Sequence, residues 1–151
     1  NGGFQQIMAN FAWERLLMSI GAIGAMDRLI EVSVNYAKER QAFGRPIGSF
    51  QAIRHKIAMM ATRTEASRAF AYDTLRRFHE GEVVVREVSM SKLDSQRALV
   101  DIADEAIQIH GGYGYMREYE VERALRDARL GPIGGGTDEI MMEIIGKTYG
   151  L

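Results

Sequence analysis

Three consecutive glycines, Gly134, Gly135 and Gly136, stand directly before the last amphipathic segment of the chain, and Thr137 follows them. Threonine is a favoured helix N-cap, and the first N–H groups of a helix have no partner within it. Glycines at that place leave the backbone bare, so that a ligand can reach these N–H groups and the positive end of the helix dipole. The motif predicts a ligand-binding turn, although the motif alone also fits a flexible loop between helices.

Side chains that could bind a metal are sparse. The three histidines, His55, His79 and His110, do not stand at metal-ligand spacings, and the chain has no cysteine. Disulfides and thiolate metal sites are therefore excluded, and no metal is expected. We interpret the histidines as structural or surface residues.

The bulk composition narrows the possible partners. The chain has 151 residues, 19 Lys plus Arg, 20 Asp plus Glu and a net charge of −1. This length predicts one domain with a substantial core. The balanced charge argues against nucleic acid and anionic membranes as main partners. No apolar run approaches the roughly 20 residues of a membrane span, and no secretion signal is present.

Long helices must position the turn. Apolar residues at steps of three and four predict one helix from about Asn10 to Arg40, with a short preceding turn of helix over Gly2–Ala9. Gly44 and Pro46 end this element and begin a loop.

Four further helices are predicted, and no strand. Val83–Val85 could suggest a strand, but a single strand would have no pairing partner, so we interpret it as the start of a helix. The expected fold is all-α, an up-down four-helix bundle of three long helices and one shorter terminal helix. The predicted ranges are Ser49 (as N-cap) to Glu80, Val84 to His110, Glu120 to Leu130, and Thr137 (as N-cap) to Tyr149.

Several short motifs occur together along the chain: RQAFG at 40–44, FQ at 50–51, QIHGGYGY at 108–115, RDAR at 126–129 and GGGT at 134–137. In this order and spacing the chain resembles the C-terminal half of the acyl-CoA dehydrogenases, flavoenzymes that desaturate acyl-CoA thioesters in fatty acid metabolism. The pattern is most similar to the long-chain and isovaleryl-CoA members. The resemblance implies that residues 1–151 are one domain, a fragment of a larger three-domain FAD enzyme. The isolated fragment is then expected to be inactive.

The resemblance implies a position for the catalytic base. In the family's reaction the α-proton goes to a carboxylate and a hydride from the β carbon goes to flavin N5. Many members carry the carboxylate at the position of Gly135, and glycine cannot abstract a proton. Other members carry it in a Glu-Arg-Leu triplet, which corresponds here to Glu14, Arg15 and Leu16. Glu14 is thereby implied as the base, with Arg15 at the CoA-side entrance. From the residues alone, Glu14 also fits a glutamate stabilised by the helix dipole.

The resemblance also implies a role for the triple-glycine turn. A backbone N–H at Gly135 would hold the thioester carbonyl together with a flavin hydroxyl, as in an oxyanion hole. Gly134 and Gly135 leave volume where other members carry Tyr-Glu, and we expect this space to admit a branched or long acyl chain. Glycine is equally expected if the turn needs a positive φ.

The resemblance implies FAD contacts in two regions. Arg40 would bind the pyrophosphate, in a neighbouring subunit, because a guanidinium can bind phosphate oxygens bidentately. Arg40 alone also fits a partner of the helix C-terminal dipole. Many members carry glutamine where Glu139 stands, so an amide contact there stays open. The other implied cofactor contacts are Phe43 at the adenosine end, Gln51, Gln108, Gly111, Gly112, Thr137 and Glu139.

The family's partners would be an acyl-CoA substrate, an electron-transfer flavoprotein as acceptor, and further copies of the chain in a dimer or tetramer. The location would be the bacterial cytoplasm or the mitochondrial matrix. Two alternatives stay open. A helical scaffold that has lost catalysis is favoured by Gly135 and disfavoured by Glu14. A related flavin monooxygenase or oxidase could use the same bundle without needing Glu14 and Arg15.

Overall fold

The computed structural model describes the backbone of residues 3–151 and the side chains from residue 10 onward. Its helix α3 packs against each of the other four α-helices, and α1 and α2 also pack on each other. The all-α prediction is confirmed, and none of the described helices combines the length and apolarity of a membrane span. The helices are α1 (Gly3–Glu39), α2 (Gln51–His79), α3 (Val85–His110), α4 (Glu120–Ala128) and α5 (Asp138–Lys147).

Two apolar clusters hold these helices together. The larger one joins α1, α2, α3 and α4, with Met26, Met60 and Ile102 among its buried residues. The smaller one contains Leu16 of α1 and Val88 of α3, near the start of the bundle. Each fully buried aliphatic side chain contributes about 1.5–3 kcal/mol relative to an exposed one. The clusters therefore fix the rotation of α1 and α3 about their axes.

Some predicted boundaries were wrong, by about two helical turns at the start of α1 and by less elsewhere. The short helical turn expected over Gly2–Ala9 is part of α1 from Gly3 onward, while Gly2 lies outside the described residues. Ser49 does not cap α2, because its hydroxyl donates to the Pro46 carbonyl at 2.7 Å and Phe50 takes the N-cap position. α3 begins at Val85, and residues 82–84 directly before it form no strand.

A short hairpin between α1 and α2 was not predicted. Strands β1 (Gln41–Ala42) and β2 (Arg45–Pro46) are antiparallel, with Ala42 opposite Arg45. Phe43 and Gly44 form the turn with φ of 52° and 78°. Two-residue strands are too short to show an alternating apolar pattern. The hairpin holds Phe43 away from the bundle.

Adjacent methionines of α2 test the core assignment in the full-length gene product. Met60 is 2% exposed in the main cluster, whereas Met59 is 68% exposed. Met60→Ala should lower the free energy of unfolding by about 2–5 kcal/mol, because it leaves a cavity. Met59→Ala, the matched control, should change it by less than about 0.5 kcal/mol. Urea titration measures both, and equal losses would show that α2 is rotated from the described orientation.

Candidate functional site

The triple-glycine turn adopts a backbone that only glycine takes readily. Gly135 and Gly136 have φ of 66° and 102°, where a side chain would be strained. Thr137 is the N-cap of α5, as predicted, and its Oγ1 accepts from the Ile140 N–H at 3.4 Å. The pKa of the Glu139 carboxyl is lowered by its own backbone N–H and by the Thr137 hydroxyl.

The turn exposes unpaired N–H groups. The Asp138 N–H donates to the Pro132 carbonyl at 3.0 Å and closes the loop. Within the described chain, no protein acceptor takes the N–H groups of Gly135, Gly136 or Thr137. Three successive free donors at the start of a helix can bind a carbonyl oxygen or an anion.

Arg15 fixes the turn to α1. Its Nε donates to the Gly135 carbonyl at 2.9 Å, and the side chain is only 8% exposed. Burial lowers the pKa of the Arg15 guanidinium, and the nearby Glu14 carboxylate opposes this shift. The side chain is therefore committed to the turn, and its expected contact with CoA stays a prediction.

A second buried cation reaches the turn from α3. Lys92 Nζ donates to the Gly136 carbonyl at 2.7 Å and lies 3.9 Å from Asp138 Oδ1. Arg97 holds the other oxygen of this buried carboxylate. Burial lowers the pKa of the Lys92 ammonium, Asp138 opposes the shift, and Arg15 and Arg97 lower the pKa further. Consecutive carbonyls of the turn thus accept from two cations on two helices.

Glu14 lies on α1 beside this arrangement. Its side chain is exposed, and the Asn10 amide donates to it at 3.2 Å. Residues four apart share a helix face, so Glu14 stands one turn from Met18. A side chain at Gly135 would place its Cβ only 2.7 Å from Met18 Sδ. The face that carries Glu14 therefore borders the turn, although these residues alone do not bury the carboxylate.

The other predicted cofactor residues gather at the opposite end of the bundle. A cavity of about 580 Å³ is lined there by Arg40, Gly111, Gly112 and Tyr113, among others. The Arg40 guanidinium stacks on the Tyr113 ring at 5.2 Å and makes no ion pair with any described residue. Gly111 ends α3 with a φ of 60° and a ψ of −138°, a conformation that glycine adopts far more readily than other residues.

Three more predicted residues lie at this end, and all are exposed. Phe43 is 95% exposed at the tip of the hairpin and meets Phe50 edge-on at 6.0 Å. Gln51 is the first residue of α2, and Gln108 lies in the last turn of α3. Their side chains are free to contact a ligand that covers this surface.

His110 supports the wall of that cavity. Its ring stacks on Tyr36 at 4.2 Å, and its Nδ1 lies 2.7 Å from the Ala106 carbonyl, so Nδ1 carries the proton. Burial lowers the pKa of His110, and the Ala106 hydrogen bond opposes this shift. The structural role expected for this histidine fits its position. No cluster of three or more potential metal ligands occurs among the described residues.

The two ends are far apart. From Arg15 to the end of α1 at Glu39 the helix measures on the order of 36 Å at 1.5 Å per residue. The structure therefore brings Glu14, Arg15 and the glycines together, and separately brings Arg40 together with Gly111 and Gly112.

Lys92 and Met18 contact the turn but were not predicted as site residues. Lys92 falls on the buried stripe of α3, four residues after Val88 and four before Gln96. A lysine at that spacing was the available signal, because an unpaired ammonium is rarely buried. Met18 gave no comparable signal, since methionine is a common core residue.

Fold and geometry together define a helical domain that can bind ligands at both ends. The sequence profile of the "Acyl-CoA dehydrogenase, C-terminal domain" matches residues 1–150. An acyl-CoA dehydrogenase of Bacillus subtilis (strain 168) is 44% identical over 145 residues, which cover 96% of this chain and 38% of that protein. The mitochondrial isovaleryl-CoA dehydrogenase of Oryza sativa subsp. japonica is 41% identical, covering 96% of this chain and 36% of that protein.

A solved structure agrees with these relatives. The crystal structure of a probable acyl-CoA dehydrogenase from Mycobacterium abscessus superimposes with a TM-score of 0.96 at 44% identity, covering 99% of this chain and 40% of that one. The chain belongs to the acyl-CoA dehydrogenase family, as the motifs implied. It spans 38% and 36% of the length of the two curated relatives.

His110 should make stability depend on pH. Because its pKa is lower in the folded than in the unfolded chain, only the unfolded chain takes up this proton just below pH 6.5. The free energy of unfolding should therefore fall as the pH drops through that window, by at most about 1.4 kcal/mol per pH unit for one proton. Urea titrations between about pH 5 and pH 8 measure this in the full-length gene product. His110→Phe should lose this component, and parallel slopes for variant and wild type would contradict the assignment.

Proposed function

We propose that this chain is the C-terminal domain of a three-domain, FAD-dependent acyl-CoA dehydrogenase, which desaturates an acyl-CoA thioester between its α and β carbons. One observation carries the proposal. The Arg15–Gly135 hydrogen bond fixes the helix face of Glu14 beside a turn with free N–H groups. Residues 134–137 of the turn contain no acid of their own.

Glu14 is the base in this proposal and accepts the α-proton of the thioester. A positioned carboxylate contributes about 10²–10⁴ in rate when it lies within reach of the proton. Its exposure in this chain suits the role, because the rest of the enzyme and the acyl chain would cover it and exclude water. Bound FAD would supply the acceptor for the hydride.

The turn holds the thioester carbonyl. Removal of the α-proton moves negative charge onto the carbonyl oxygen, and the free N–H groups of Gly135, Gly136 and Thr137 can stabilise that charge. One such donor contributes about 3–4 kcal/mol in comparable oxyanion holes. These donors are already oriented before substrate binds, since α1 and α3 hold the carbonyls of the same turn.

Apolar side chains around the turn suit an acyl chain. Ile133 and Ile140 are large, exposed and close to the turn in sequence, and Ile140 also lies near Gly136 in space. The volume expected at Gly135 is partly taken by Met18, because a Cβ there would lie 2.7 Å from its Sδ. A thioether side chain is flexible, so a branched or long acyl chain is admitted when Met18 moves aside.

The opposite end fits the FAD pyrophosphate. Arg40 offers an unpaired guanidinium, and no other heavy atom lies within 4 Å of a Cβ placed on Gly111 or Gly112. Such a group could bind phosphate oxygens bidentately while the bare backbone approaches them closely. The exposed ring of Phe43 could cover the adenosine end.

The distance between the two ends supports a homo-oligomer. The Arg40 end lies on the order of 36 Å from Arg15 along α1, so it would bind the cofactor of a neighbouring subunit, in a dimer or tetramer, as the resemblance implies. The acceptor would be an electron-transfer flavoprotein, as the resemblance implies. The location would be the bacterial cytoplasm or the mitochondrial matrix, which fits one relative from a bacterium and another named as mitochondrial.

A catalytically inactive scaffold is the second candidate. Glycine at 135 favours it, since the turn supplies no base. The cations behind the turn disfavour it, because a scaffold gains nothing from burying Lys92 and Arg15 against two carbonyls.

Replacing Glu14 distinguishes the dehydrogenase from the inactive scaffold. The full-length gene product, loaded with FAD, is mixed with butyryl-, isovaleryl- or palmitoyl-CoA, and flavin bleaching is followed by stopped flow. Glu14→Gln should slow bleaching at least about hundredfold with the best thioester, because the neutral amide cannot take the proton. FAD content should not change.

Glu31→Gln is the matched control, since this exposed carboxylate lies on the same helix and bonds Arg28. It should bleach at the wild-type rate. Bleaching of Glu14→Gln at that rate would remove Glu14 from the mechanism. If none of the three thioesters bleaches the flavin of the wild-type protein, the result favours the inactive scaffold.

A further inference from the structure

Lys92 is buried behind the turn and neither accepts the proton nor touches the substrate in the reaction proposed above. It is 0% exposed and is the largest of the fully buried side chains in the described part of the chain. Its Nζ donates to the Gly136 carbonyl at 2.7 Å, and Asp138 Oδ1, at 3.9 Å, is too far for a hydrogen bond. An ammonium has three donors, so this one is only partly satisfied.

Burial of such a cation is unfavourable. The pKa of Lys92 is lowered by burial, so the environment disfavours the charged form. An apolar side chain of similar length would fill the same space without that penalty. A contact made by Nζ must therefore offset the penalty, and among the described residues the Gly136 carbonyl is the acceptor that Nζ reaches.

The contact controls which way the turn faces. In a trans peptide the C=O and the following N–H point in opposite directions. Arg15 holds the Gly135 carbonyl and Lys92 holds the Gly136 carbonyl, so the N–H groups of Gly136 and Thr137 point away from these cations. A hydrogen bond from a cation to the carbonyl also polarises its peptide and strengthens the N–H as a donor.

Because residues 135 and 136 are glycines, the turn needs hydrogen bonds from other elements to fix its orientation. Gly135 and Gly136 can adopt many backbone conformations, and the turn's own hydrogen bonds fix only its ends. Gln96, one helical turn after Lys92, packs on Gly131 and donates to the Met18 carbonyl at 2.8 Å. One face of α3 thus supports the whole loop from Gly131 to Gly136.

We propose that Lys92 is a positioning residue, whose hydrogen bond to the Gly136 carbonyl orients the triple-glycine turn so that its free N–H groups face the thioester oxygen. The proposal rests on the proposed function. Lys92 does not touch the substrate and acts through the backbone of the turn.

The test uses the FAD-loaded full-length gene product and 3-thia-acyl-CoA thioesters of short, medium and long chain. Sulfur replaces the β carbon in these probes, so they can lose the α-proton to the base but have no hydride to give. The bound enolate is measured by its long-wavelength absorbance beside the flavin. Lys92→Met should lower the equilibrium constant for deprotonation about tenfold, less than the loss of a direct donor.

Amide hydrogen exchange is the second readout and does not depend on the reaction. The Asp138 N–H closes the loop onto Pro132, so its exchange reports the order of the turn. Exchange there should be faster in Lys92→Met than in wild type. Lys147→Met, which removes an exposed lysine paired with Glu143, is the control and should match wild type in both readouts.

Each combination of the two readouts either supports or overturns the role of Lys92. Changes in both readouts support the proposal, whereas wild-type values in both overturn it. Faster exchange with unchanged deprotonation also overturns it, because Lys92 would then be structural only. A loss of deprotonation with unchanged exchange overturns it as well.

If Lys92→Met does not fold, Lys92→Gln replaces it under the same criteria, since its shorter neutral side chain cannot reach the carbonyl without movement. If wild type gives no enolate with any probe, the proposed function itself fails.

Discussion

A buried hydrogen bond from Arg15 Nε to the Gly135 carbonyl joins two segments that are 120 residues apart in the chain. It sets the position of the turn relative to α1 and to the residues of α1 next to Arg15. Breaking it would leave a buried guanidinium without its acceptor, which is costly. Because Glu14 precedes Arg15 in the same rigid helix, the same bond determines where the carboxylate stands. The proposed base and the proposed carbonyl-binding donors are thereby held on separate elements in one fixed geometry.

α1 and α3 each connect both ends of the domain. α1 carries Arg15 at the triple-glycine turn and leads to Arg40 at the other end. α3 carries Lys92 at the turn and ends at His110, directly before Gly111 and Gly112. The packing of these two helices on one another therefore relates the two ligand-binding ends over the length of α1. In an oligomer, a change in this packing would alter the reacting end in one subunit and the cofactor contact offered to its neighbour.

The sequence predicted the helices well, because long amphipathic periodicity reflects burial directly. It failed at the hairpin of Gln41–Pro46 and at Ser49, where a few local hydrogen bonds decide the structure without a periodic pattern. Motifs supplied the candidate residues, and the structure groups these at two ends. Lys92 and Met18 could not be assigned, since their roles arise from contacts with a turn more than 40 residues away along the chain. Such contacts depend on packing, which composition and spacing do not specify.

The most direct test of the central claim is a crystal structure of the full-length gene product with FAD and a bound 3-thia-acyl-CoA. The account predicts a Glu14 oxygen within about 3.5 Å of the α carbon, with the thioester oxygen on an N–H of the triple-glycine turn. A Glu14 carboxylate directed away from the thioester, with another acid at the α carbon, would contradict it.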